Sequence, residues 1–175
     1  MWVLLVLGPH LVAGASARQN AEPDLGVREL YAYAAFLDAH SNVASAVDAT
    51  PSLVPGEGTL QQFPELSTFI EQHPDLKNSI TTNPGMFQSL EQRYLALVPS
   101  RLPIHRTVII WFDRLLSSNP QLRSELQAAP NTIDAPDTLS RNLPLKNFLQ
   151  TNPYFPQLFK GSPIVFLGTA PAAGN

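Results

Sequence analysis

The chain has 175 residues, of which 44% are hydrophobic and 14% are charged, and its formal net charge is −3. This weakly acidic balance excludes the strongly basic surface of a nucleic-acid-binding protein, and the hydrophobic fraction excludes an intrinsically disordered chain. Because the chain contains no cysteine, disulfide scaffolds, thiolate metal sites and a cysteine nucleophile are excluded as well.

The N-terminus resembles an export signal. Residues 1–17 contain no Asp, Glu, Lys or Arg, and they end in the small residues Ala15-Ser16-Ala17, a pattern that predicts a signal peptide cleaved before Arg18 and a secreted or periplasmic protein. No basic residue precedes the apolar stretch, which leaves open whether Met1 is the true start, and the alternative is a buried N-terminal helix. The stretch is shorter than the roughly 20 residues of a membrane span. No later segment is apolar enough to span, so we expect no membrane span after cleavage.

The rest of the chain contains an internal repeat. Residues 35–40 align without gaps with residues 68–73, 114–119 and 147–152. The shifts of 33, 46 and 33 residues define two larger units of 79 residues, each of which holds two repeats. One column is apolar in every copy and is predicted to lie in the core. Its members are Phe36, Phe69, Leu115 and Phe148.

Prolines recur within the repeat, and they predict where helices begin. The apolar columns follow steps of three and four, which is the period of a helix, whereas a proline inside a helix costs about 3 kcal/mol or more. Proline is tolerated at the first helical position, so each proline is predicted to start a short helix, with the preceding residue as an N-cap whose side chain accepts a backbone N–H. The predicted caps are His40, His73, Asn83, Asn119 and Asn152.

These features predict an all-α fold: an array of short proline-started helices, either solenoid-like or a compact bundle. The predicted segments are a flexible mature N-terminus, a first helical double repeat, a connector, a second double repeat and a disordered tail. Their bounds are 18–26, 27–98, 99–105, 106–167 and 168–175. The short connector favours one continuous array over two separate domains.

The repeat pattern F-[LI]-x-x-[HN]-P-x-[LF]-x-x-x-[IL]-x-x-[NAS]-P resembles that of exported bacterial helical-repeat proteins without an assigned function. The resemblance covers about residues 30–167, and the chain departs from the pattern at Ser41 and at Tyr154-Phe155-Pro156. It implies a secreted helical-repeat protein, and it brings no catalytic residue to this chain.

The histidines are the first candidates for chemistry, but the repeat argues against them. The column of His40 and His73 holds Asn119 and Asn152 in the other copies, and asparagine can cap a helix but replaces a metal-binding imidazole poorly. The sequence also lacks H-E-x-x-H, G-x-S-x-G and the glycine-rich phosphate loops. We therefore predict no catalytic residue, no cofactor and no metal site.

For the arginines near the connector and for the aromatic residues, the sequence favours structural roles over binding roles. Arg101, Arg106 and Arg114 surround the connector, and a solvated surface is favoured over a basic patch. Five further aromatic residues, at core-like columns or beside them, are predicted to pack in the core rather than to form a ligand platform. They are Tyr31, Tyr33, Trp111, Phe112 and Tyr154.

Two classes of function remain. The favoured one is a secreted or periplasmic helical-repeat scaffold or protein-interaction module without catalytic activity, which binds an unidentified protein partner or further copies of itself. The alternative is a small-ligand binder or hydrolase that uses a groove between the two halves.

We predict that export removes residues 1–17, because a small-x-small triplet ends the uncharged stretch. N-terminal sequencing of the exported protein should begin at Arg18. Exported material that begins at Met1 would contradict the prediction.

Overall fold

A computed structural model describes residues 25–50 and 52–168. Within these ranges the regular structure consists of α-helices and two short 3₁₀ turns, with no strand, so the all-α prediction is confirmed. The predicted signal peptide, the mature N-terminus up to residue 24 and the tail from residue 169 lie outside the described residues. The first helix begins at Leu25, slightly before the predicted start of the first double repeat.

The first half of the chain contains six helices among the described residues, followed by a 3₁₀ turn at Val98–Ser100. Three of these helices begin with proline at the first helical position, as do three in the second half. The six helices of the first half are α1 (Leu25–Ala39), α2 (Ser41–Asp48), α3 (Glu57–Gln62), α4 (Pro64–Gln72), α5 (Pro74–Thr82) and α6 (Pro84–Leu97).

The second half begins after the segment 101–105 and includes a 3₁₀ turn at Pro130–Thr132. It contains six helices among the described residues, and the third of them begins at Pro136, 79 residues after the start of α3 at Glu57. They are α7 (Arg106–Ser117), α8 (Pro120–Ala128), α9 (Pro136–Arg141), α10 (Leu143–Thr151), α11 (Phe155–Gly161) and α12 (Pro163–Leu167).

Helices α1 and α7 pack against each other where the two halves meet. They run antiparallel, because Asp38 near the end of α1 contacts Arg106 at the start of α7, while Val27 and Ser117 at their other ends line one cavity. Helix α1 also packs on α2 and α5, and α7 packs on α6, α8, α10 and α12. Buried apolar residues of both halves therefore form one hydrophobic core.

The core prediction for the first repeat column is only partly correct. Phe148 is buried and contacts Phe112, the aromatic centre of the second half, whereas Phe36, Phe69 and Leu115 are half-buried at the edge of the core. Successive residues of a helix point about 100° apart, and the inward face falls on the adjacent column. That column is buried in every copy: Leu37, Ile70, Leu116 and Leu149.

The predicted N-cap interactions are wrong, although His40, His73, Asn83 and Asn119 do occupy N-cap positions. None of their side chains bonds to the N–H groups of the helix that follows. Asn152 instead ends α10 and precedes a turn rather than a helix.

Three of these side chains bond to the preceding helix. The ring Nδ1 of His40 lies 2.8 Å from the carbonyl oxygen of Phe36. The side-chain amides of Asn119 and Asn152 donate to the carbonyl oxygens of Leu115 and Phe148, both at a distance of 2.9 Å. The cause is local, because Asn119 has φ −137° and ψ 74°, short of the extended ψ of an ordinary N-cap residue. The carbonyls of Phe36 and Leu115 lie in the last turns of α1 and α7, where a helix provides no N–H partner. The carbonyl of Phe148, in contrast, already accepts the backbone N–H of Asn152.

We expect Phe148→Ala to destabilise the protein more than Phe69→Ala. Truncating a buried Phe costs about 3–5 kcal/mol through lost burial and a cavity, whereas Phe69 is half-buried and stacks on Phe36 with ring centroids 4.3 Å apart. Urea unfolding should give a single transition in both variants, with the lower midpoint for Phe148→Ala. Equal costs would contradict the assignment of Phe69 to the edge of the core.

Candidate functional site

Arg106, the first residue of α7, lies at the centre of a buried ionic cluster. Its side chain is only 2% exposed, so the prediction of a solvated surface is wrong for this arginine. Its Nε donates to Glu91 on α6 and its Nη2 donates to Asp48 on α2, and the donor–acceptor distance is 2.7 Å in both hydrogen bonds. The guanidinium carbon also lies 3.7 Å from the ring centroid of Tyr94, a cation–π contact. A single side chain thus connects α2, α6 and α7.

A carboxylate from the first half caps the first helix of the second half. Asp38 on α1 accepts the backbone N–H groups of Arg106 at 2.9 Å and of Thr107 at 3.1 Å. It also accepts the hydroxyl of Thr107 at 2.9 Å. The first N–H groups of a helix have no partner within the helix, and the helix dipole favours a negative charge there. The start of α7 is therefore stabilised by α1 rather than by its own N-cap residue, His105.

The cluster has an excess of negative charge, since Asp38, Asp48 and Glu91 surround one guanidinium. Burial, together with the charge of Asp48, raises the pKa of Glu91 to about 7, although Arg106 opposes the shift. Burial disfavours the charged guanidinium, but the carboxylates of Glu91 and Asp48 outweigh it and raise the pKa of Arg106. Burial also raises the pKa of Tyr33, whose hydroxyl has no hydrogen-bond partner among the described residues. Glu91 and Arg106 are closed off from solvent, so the cluster connects the helices within the core.

An open groove lies on the exposed side of the α1 and α7 pair. This α1/α7 groove has a volume of about 300 Å³ and adjoins a second depression of about 310 Å³ that extends onto α6. The groove is lined by Val27, Arg28, Tyr31, Ile110, Trp111 and Arg114.

The two aromatic residues of the groove are half-exposed, Tyr31 at 49% and Trp111 at 48%. The prediction of core packing is therefore wrong for Tyr31 and Trp111, and also for the exposed Tyr154. It is correct for Tyr33 and Phe112, which are buried. The sequence did contain a signal, because Tyr31 and Trp111 lie off the stripes of three-and-four spacing that bury their neighbours.

The charges around the groove are unevenly paired. Arg93 donates to both carboxylate oxygens of Asp113, at 2.5 and 2.8 Å, and its Nε donates to the carbonyl of Val165 at 2.7 Å. Arg28 lies 3.2 Å from Glu29. Arg114 is exposed and makes no ion pair with any described carboxylate. The groove therefore combines an apolar floor with an unneutralised positive charge.

His40 and His73 do not line the α1/α7 groove. His40 stacks on Phe36 with centroids 4.1 Å apart, and His73 lies 4.4 Å from Phe69. Across residues 25–50 and 52–168, no three His, Asp or Glu side chains are grouped as metal ligands. In the same part of the chain, no helix is both long and apolar enough to cross a membrane.

No family model, curated protein or solved structure matches the chain. Its function is therefore inferred from the two features above, the buried cluster and the groove that the cluster helps to shape.

We predict that Glu91 makes the protein less stable as the pH rises from about 5 to 8. The folded protein holds the Glu91 proton up to about pH 7, whereas the ordinary pKa is 4.5. Between these values the folded state binds more protons than the unfolded state, so the free energy of unfolding falls with increasing pH. Glu91→Gln removes this titration, and chemical denaturation at several pH values should show its stability rising relative to wild type as the pH increases.

The matched control is Glu65→Gln, which alters an exposed carboxyl on α4. Its stability relative to wild type should stay constant over the same pH range. A Glu91→Gln difference that is also constant with pH would contradict the raised pKa of Glu91.

Proposed function

We propose that this protein is an exported protein-interaction module without catalytic activity, and that the α1/α7 groove is its binding surface. Export is inferred from the pattern of residues 1–17. The binding role is inferred from the groove.

One observation carries the proposal: two large aromatic side chains, one from each half, are half-exposed in the same groove. Tyr31 and Trp111 flank a floor that includes Val27 and Ile110. Tyr, Trp and Arg are the residues most enriched among those that dominate binding energy at protein interfaces. Contiguous exposed apolar surface rimmed by polar residues is typical of an interaction site.

An aromatic contact and an ion pair hold one side of the groove in place, which favours affinity. Trp111 packs edge-on against buried Phe148, with ring centroids 5.8 Å apart, and the Arg93–Asp113 ion pair joins α6 to α7 beside it. A partner that binds a preformed surface loses less conformational entropy than one that must order it.

The alternative, a small-ligand binder or hydrolase at the same junction, has one observation in its favour. A volume of about 300 Å³ is at the lower end for ligand pockets. Against it, the groove is open along its length, whereas ligand pockets enclose most of their ligand. The ionisable groups Arg93 and Asp113 bond to each other, so neither is free for acid–base chemistry.

The proposal is tested by selecting peptides from a random display library on the purified protein. Selected peptides should bind a Tyr31→Ala/Trp111→Ala double variant at least about tenfold more weakly than wild type, because loss of interface aromatics costs about 1–2 kcal/mol or more. Binding is measured by calorimetry, and thermal unfolding checks that the variant is folded.

The matched control is Tyr154→Ala, since Tyr154 is similarly exposed, at 56%, but lies outside the groove. It should leave the affinities unchanged. Peptides that bind all three proteins equally well would contradict the groove as the binding surface.

A further inference from the structure

The side chains that line the groove are four residues apart along each helix, a spacing against which another helix can pack. Helix α1 contributes Val27 and Tyr31, four residues apart, and α7 contributes Ile110 and Arg114, also four apart. Residues at this spacing form a ridge along a helix, and a second helix packs by placing its own ridge into the groove beside it. Three helices border the joined depressions, because Met86 and Leu90 of α6 extend the apolar floor.

The charge pattern specifies which kind of helix fits. Arg114 lines both depressions and has no described carboxylate as a partner. Arg28 is 58% exposed at the side chain and lies 3.7 Å from Asp75, which is itself largely exposed. Arg93 is already neutralised by Asp113. Since Arg28 also pairs with Glu29, Arg114 is the cation of the groove that a carboxylate of a partner could neutralise.

We propose that the partner presents an amphipathic helix whose apolar face lies on Tyr31 and Trp111 and whose flanking carboxylate pairs with Arg114. This inference rests on the function proposed above and adds the chemistry of the partner. Recognition of an amphipathic helix by an apolar groove is a recurrent mode of peptide binding, and a charged rim selects the partner more than it strengthens binding.

A second copy of this chain is the less suitable occupant. In a symmetric dimer the same patch lies on both sides of the interface, so groove-to-groove pairing would bring two Arg114 side chains together without an intervening carboxylate. Like charges opposed across an interface disfavour the pairing.

The test uses three designed helical peptides that share one apolar face and differ at one flanking position, which is Glu, Gln or Lys. Trp111 is the only tryptophan in residues 18–175, so its fluorescence in the exported protein reports binding. We expect the Glu peptide to bind up to about fivefold more tightly than the Gln peptide, the upper limit for an exposed ion pair, and the Lys peptide to bind most weakly. Added salt should reduce these differences.

Charge reversal provides the decisive comparison. Arg114→Glu should invert the order, so that the Lys peptide binds best, whereas Arg101→Glu, at an exposed arginine of the connector, should keep the wild-type order. Binding in the groove without dependence on the peptide charge would overturn this inference and leave the proposed function intact. Absence of binding by all three peptides would overturn it too, as would a dimer, detected by light scattering, that Trp111→Ala dissociates.

Discussion

The burial of the Arg106 guanidinium is the constraint on which the junction between the two halves depends. An unpaired charge in this position would carry a desolvation penalty of several kcal/mol. Its partners Asp48 and Glu91 come from α2 and α6, and Asp38 of α1 holds the backbone of the same residue. Four helices must therefore be in place together before the charge is compensated. Such a cluster favours one relative arrangement of the helices over slipped alternatives, even where its net contribution to stability is small.

The groove depends on this junction. Because Asp38 and Arg106 hold one end of the antiparallel pair, α1 and α7 keep the spacing that leaves Tyr31 and Trp111 on the same open side. The Arg93–Asp113 pair, with its bond to the carbonyl of Val165, connects α6, α7 and α12 at the other border. The ion pairs of Arg106 and Arg93 thus join helices at the junction, and Tyr31, Trp111 and Arg114 stay exposed beside them.

Asn119 shows that a sequence pattern can predict the position of a residue correctly and its hydrogen bond wrongly. The sequence placed Asn119 between two short helices, and it does lie there. Its amide nevertheless donates backward to the carbonyl of Leu115 instead of accepting an N–H ahead of it. Its backbone, with φ −137° and ψ 74°, does not reach the extended ψ of an ordinary N-cap residue, and the side chain bonds to the helix that ends rather than to the one that begins.

The sequence by itself determined the features that depend on near neighbours. Three-and-four spacing and prolines at helix starts predicted an all-α fold, because helix formation is decided by residues within about one turn of each other. Only the tertiary structure decided that Phe148 is buried while Phe69 is not, and that Arg106 is a buried charge. Its partners Asp38 and Asp48 are 68 and 58 residues away in the chain, and no local pattern links residues at such distances. The groove is likewise a property of two packed helices, since neither Tyr31 nor Trp111 could be assigned to a binding surface until α1 and α7 were placed side by side.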